Sequence, residues 1–166
     1  MFKVDRQHEG YDVYGSAGFG FPYEKIDGGG RPFLNVQFRW SRGTKERWGP
    51  PETGVERRWA RVKLDTGCDA VYAHPDWLVW NGVAIHAEGA GVLPNGQVFT
   101  ASGEPVVARI TSGTMRVQGF ENMRIQIRKI YYSRKFPEGY ALISHNVLVP
   151  YFGIIMERSQ TVLFSR

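Results

Sequence analysis

The 166-residue sequence predicts an all-β domain, and three observations carry the prediction. Twenty glycines and nine prolines break the chain at short intervals, and the many aromatic residues favour pleated, half-buried surfaces. No apolar stretch keeps a helical period long enough for an extended helix. A composition that is 42% apolar and 22% charged belongs to one globular domain with a core of its own, and excludes disordered and collagen-like classes.

The elements follow in order. Residues 1–30, with Gly18-Phe19-Gly20-Phe21, read as an extension that either packs on the core or reaches a partner. No Lys-Ser/Thr or helix follows those glycines, so they form a turn and not a phosphate-cradling loop. Gly43–Gly54 lacks a period and concentrates breakers, which predicts an exposed hairpin loop inserted between strands. Ala60-Arg61-Val62-Lys63-Leu64 alternates as a strand and runs into Asp65. Pro105–Ile110 and Thr114–Val117 read as two strands joined by a turn at Ser112-Gly113. Met123–Arg128 alternates strictly, with Met123, Ile125 and Ile127 inward. Further turn signals stand at Gly28-Gly29-Gly30, Gly49-Pro50-Pro51, Pro94-Asn95-Gly96, Ser102-Gly103 and Pro137-Glu138-Gly139. No internal sequence repeat is visible.

The net charge of +5 is unevenly spread. Residues 31–63 hold nine basic and three acidic side chains, and residues 109–135 hold seven and one. Residues 64–108 hold five acids and no Lys or Arg. The basic excess reads as a solvated face, which permits nucleic-acid or acidic partners without demanding them. The lone Cys68 excludes an internal disulfide framework, and the four histidines show no zinc-ligand spacing, so neither metal nor cofactor is expected. No apolar run is long enough for a membrane span, and the start MFKVDRQHEGYDV lacks the apolar core of a secretory signal; a soluble, intracellular domain with no membrane partner is the expectation. Trp40, Trp48, Trp59, Trp77 and Trp80 read as core or interface anchors. Cys68 has no spacing to His74, His86 or His145 that supports a nucleophile–base pair, and reads as a buried, inert thiol.

The stretch that carries chemistry is Val62-Lys63-Leu64-Asp65-Thr66-Gly67, an apolar strand ending in Asp-Thr-Gly. Alone, the tripeptide fits an Asp that caps its own turn as well as a catalytic carboxylate; chance supplies it in a chain of this length with a probability on the order of a few per cent. Its context resembles the single-lobed, retroviral-type (retropepsin-like) aspartic proteases. Thirty-five residues after Asp65 begins Thr100-Ala101-Ser102-Gly103-Glu104-Pro105-Val106-Val107-Ala108-Arg109-Ile110, similar to that family's flap, and Ala141-Leu142-Ile143-Ser144-His145-Asn146-Val147-Leu148 resembles its late apolar segment. The resemblance spans residues 55–166, leaving 1–54 as a β-rich extension and inserted loop packed on the same domain.

What the resemblance implies is a retropepsin-like closed β-barrel with a flap hairpin, one lobe per subunit, and an aspartic endopeptidase that works as a homodimer. Asp65, Thr66 and Gly67 would be catalytic; Ala101, Ser102, Gly103 and Glu104 would bind a polypeptide substrate as an extended strand. Two readings stand beside it: an inactive protease-fold module for dimerisation or peptide binding, and a small basic β-barrel that binds nucleic acid through residues 31–63 and 109–135. Two residues depart from the family pattern. Ser144 stands where it has Gly, which bears on how closely this segment approaches the Asp loop. Cys68 stands where it has Ala or Ser, and as a weaker donor than a hydroxyl it would stabilise the carboxylates less. Asp69 and Asp76 read as loop acids. The acidic segment 64–108 points to neutral or basic peptides as substrates.

Overall fold

A computed structural model describes residues 18–26, 29–51, 58–65, 68–85, 96–99 and 103–166, the side chains of Ile26 and 96–99 excepted. Six strands close on themselves. In ring order they are β4 (Phe33–Arg42), β6 (Ala60–Leu64), β11 (Ala141–Ile143), β7 (Val71–Ala73), β10 (Ile125–Tyr132) and β9 (Pro105–Val117), and β9 returns to β4 through Val36↔Val117 and Phe38↔Met115. Two more strands hang on the ring: β5 (Lys45–Trp48) on β4 and β8 (Gly96–Phe99) on β9. Closure removes the exposed strand edges that an open sheet would present. The remaining strands are β1 (Phe19–Pro22), β12 (Phe152–Met156) and β13 (Gln160–Ser165), which form one small sheet, and β2 (Glu24–Ile26) with β3 (Gly29–Arg31), which form another. Two short helices, α1 (Pro75–Trp80) and α2 (His145–Leu148), complete the described elements.

Alternation explains the core. In β6, Ala60, Val62 and Leu64 are buried while Arg61 and Lys63 are half-buried, as the sequence pattern requires. In β10 the inward residues are Ile125, Ile127, Ile130 and Tyr132; a register shift between Ile127 and Ile130 accommodates the extra residue, so Arg128 and Lys129 both stay exposed. Leu34, Val36, Phe38, Met115 and Ile143 fill the barrel interior, and Phe38 meets Trp77 of α1 edge to face at 5.9 Å. Phe19 and Phe21 on β1 are buried in the same core.

Three sequence expectations need correction. Ser112-Gly113 is not a turn: Pro105–Val117 is one continuous strand, and Gly113 pairs with Ile127 within it. Glycine serves close approach here, because a Cβ at residue 113 would lie 3.3 Å from the Phe38 ring. Gly43–Gly54 is not simply an inserted loop, since Lys45–Trp48 pairs with β4 to make a two-stranded ladder. Its side chains are mostly exposed, which is why no apolar alternation marks it. Gly20, Gly29, Gly30 and Gly96, read as turn residues, lie in strands.

The central connection is crossed. β6 and β7 follow each other in the chain but do not pair; β11 lies between them, parallel to β6 and antiparallel to β7, while β7 runs parallel to β10. The pattern is unchanged when β6, β7 and α1 are exchanged with β10, β11 and α2. This structural repeat has no sequence counterpart beyond a shared logic: an apolar strand, a polar cap and a short helix. His74 caps α1 by accepting the Asp76 N–H at Nδ1 (3.1 Å), and Ser144 caps α2 by accepting the Asn146 N–H at Oγ (3.1 Å).

Candidate active site

Asp65 is the first residue beyond β6 and is half-buried. Its backbone N–H donates to the Ile143 carbonyl at 2.9 Å, and the Ser144 N–H donates to the Ala70 carbonyl at 3.0 Å. Both ends of the loop from Asp65 to Ala70 are therefore fastened to the end of β11. Serine at 144 does not prevent this approach, because its bond runs through the backbone at φ −75, which any residue adopts, and its hydroxyl is spent on the α2 cap. Thr66 and Gly67 lie outside the described residues.

Cys68 closes the same loop. Its N–H and its Sγ both point to the Asp65 carbonyl, at 3.4 Å and 3.2 Å, and Sγ also lies 3.6 Å from the Ala70 carbonyl. The expectation that the thiol is a weak donor toward the carboxylate is thus replaced by a donor turned to backbone oxygens. Burial, and next the negative charge of Asp65, push the thiol up to about 11. At neutral pH it is protonated, which argues against a nucleophilic cysteine.

The neighbouring acids have structural partners. Asp69 accepts a hydrogen bond from the Tyr72 hydroxyl, whose own pKa is raised by burial and then by that bond. Tyr72 stacks on Tyr131 with centroids 5.4 Å apart and meets Phe136 edge to face. Asp76 lies 3.5 Å from Arg134.

The predicted flap segment is a hairpin. β8 and β9 pair antiparallel from Gly96↔Ala108 to Phe99↔Pro105, and Gly103 and Glu104 lead into β9 at its closed end. Gly103 sits there at φ +80, a left-handed conformation that favours glycine, and Glu104 is exposed. Ala101 and Ser102 lie outside the described residues. Glu104 reaches Lys135 at 3.5 Å, which links the tip to the loop following β10. No sequence signal announces that contact between residues 31 apart. Lys135 beside Glu104 and Arg134 beside Asp76 offset two of the five acids of residues 64–108. Among the described residues no group of three or more His, Cys, Asp or Glu side chains is placed to hold a metal ion, and no helix is long and apolar enough to cross a membrane.

The six-stranded ring, the crossed β6–β11–β7–β10 connection and the hairpin beside it define a retropepsin-like β-barrel. A crystal structure of a retropepsin-like aspartic protease from Rickettsia conorii superposes on the chain with a TM-score of 0.56, covering 89% of this chain and 92% of the other at 9% sequence identity. That likeness is one of fold. No protein-family model matches the chain, and no curated protein matches it by sequence.

Proposed function

We propose that the chain is an aspartic endopeptidase whose active site forms where two copies meet on a twofold axis. The observation that supports this best is the placement of Asp65: a carboxylate at the end of a barrel strand, on a loop tied at both ends to β11. Peptide hydrolysis through water needs a base to take its proton and an acid to protonate the carbonyl oxygen or leaving nitrogen. Two carboxylates a few ångströms apart cannot both ionise, so the pair holds one proton and fills both roles, a principle for which the aspartic proteases are themselves the standard example. One Asp-Thr-Gly per chain makes a homodimer the simplest source of the second carboxylate, since a twofold interface brings identical residues together.

In this reading Thr66 and Gly67 shape the loop under the paired Asp65 carboxylates. The tip residues Ala101, Ser102, Gly103 and Glu104 close over an extended polypeptide and offer it backbone hydrogen bonds. The reaction uses an activated water and no cofactor. The test is cleavage of a peptide library across pH 3–8 with the wild-type chain and Asp65→Asn. Acid-favoured cleavage that a statine-type mimic blocks, and that disappears in Asp65→Asn, is expected; cleavage that survives the substitution removes Asp65 from the chemistry.

A further inference from the structure

Register puts parts of the two basic stretches side by side. Arg39, Arg42, Lys45 and Arg47 of the first lie on β4 and β5, and Arg109, Arg116, Arg128 and Lys129 of the second lie on β9 and β10; β4 pairs with β9, and β9 with β10. Residues opposite each other across a ladder share a face. Gln37 therefore faces Arg116, Thr114 faces Gln126 and Arg39 faces Trp48. Arg116 lies over the Trp48 ring at 4.5 Å and donates through Nε and Nη2 to Gln37 Oε1 at 3.0 and 2.8 Å. Glu46 is set among the arginines, 2.8 Å from Arg124 and 3.6 Å from Arg39. Arg128 is exposed and has no side-chain partner among the described residues.

A cleft of about 600 Å³ is lined by Arg39, Ser41, Ser112, Thr114, Gln126 and Arg128 on this face, together with apolar residues such as Trp40 and Val83; Arg116, Trp48 and Arg124 do not line it. None of its lining residues belongs to the Asp65 loop or the hairpin tip. Guanidinium forks match phosphate oxygens, hydroxyl and amide groups suit sugar and base edges, and an indole stacked with a guanidinium gives a flat surface for a base. A concave cleft admits one flexible strand more readily than a stiff duplex.

We propose that this face binds single-stranded nucleic acid, with phosphates on Arg39, Arg124 and Arg128 and a base against the Arg116–Trp48 stack. This binding is independent of the peptidase reading. In the free protein Glu46 competes with phosphate for Arg39 and Arg124, which gives the proposal a sign that a merely structural role would not: removing the carboxylate strengthens binding.

The experiment is a fluorescence-anisotropy titration of the full chain with labelled 12-nucleotide oligo-dT and oligo-rU at 50–200 mM KCl. Three phosphate contacts on a single strand give a log–log salt slope of about −2, so the fourfold rise in salt weakens binding about 20-fold. Arg128→Gln is expected to weaken binding several-fold and flatten the slope to about −1.4. Glu46→Gln is expected to tighten binding. Lys25→Gln, which removes the same charge from β2, stays within about twofold, and Asp65→Asn leaves the affinity unchanged whatever it does to cleavage. Binding of either oligonucleotide supports the proposal, and a preference between them names the sugar. Absence of binding at 50 mM KCl overturns it, as does a loss in Lys25→Gln equal to that in Arg128→Gln. So does displacement by poly-glutamate at the same charge concentration, which would make the ligand an acidic peptide. If circular dichroism shows Arg128→Gln to be misfolded, the direction of the Glu46→Gln effect decides.

Discussion

Replacing Ser144 by alanine deletes one hydroxyl and leaves the backbone bond from residue 144 to Ala70 in place. The hydroxyl's role is to accept the Asn146 N–H at 3.1 Å, at a residue only 2% exposed, where it caps a helix of four residues. Losing a serine cap costs about 1 kcal/mol, and since Asn146 is exposed, water replaces part of the bond and keeps the cost from reaching 2. In a domain of this size, 1 kcal/mol lowers Tm by about 2–4 °C. Glycine at the same position costs only a few tenths of a kcal/mol, because it remains a good cap residue and meets no strain at φ −75 and ψ 147. The expected order of stability is therefore serine, then glycine, then alanine, read by thermal melts followed by circular dichroism. An alanine variant as stable as the glycine variant would refute the cap as the reason serine is accommodated here.

Two further outcomes follow from the geometry. Burial pushes the Cys68 thiol from the ordinary thiol range up to about 11, so below that value the unfolded chain releases a proton that the fold retains, and stability falls as pH rises through that window. The full shift would be worth roughly 3 kcal/mol, and solvent screening at a half-buried site reduces it to about 1. Urea melts at pH 8 and pH 11 are expected to show a loss about 1 kcal/mol larger in the wild type than in Cys68→Ser, which keeps the loss due to the raised Tyr72 hydroxyl; an equal loss in both would remove Cys68 as a source. Gly113→Val forces a branched side chain to within 3.3 Å of Phe38 and 3.6 Å of Ile130, and is expected to cost about 1–3 kcal/mol in a denaturant melt. A neutral substitution would show that β9 is not packed against that ring.

Legibility in the sequence followed how local the cause was. β6 and β10 were readable because each has one buried face and alternates, and Asp65 was readable because three residues name the loop it begins. β5 was not, since Lys45-Glu46-Arg47-Trp48 is held by its ladder to β4 and not by burying a face. Ser112-Gly113 misleads for the opposite reason: glycine and serine usually mark turns, while here glycine makes room for a ring contributed by residue 38. Ring closure through β4 and β9, the Glu104–Lys135 contact and the union of the two basic stretches all depend on partners far apart in the chain, for which no single sequence carries a local signal.

The insertion of β11 between β6 and β7 also imposes an order in time. The anchor points for Asp65 and Ala70 are made 78 and 74 residues downstream, at Ile143 and Ser144, so a nascent chain that has delivered only the first crossed unit holds its carboxylate on an untethered loop. Long-range pairing of this kind forms slowly because loop-closure entropy is lost before contacts compensate for it. The loop that begins at Asp65 is thus tethered only after the segment carrying β11 has been synthesised.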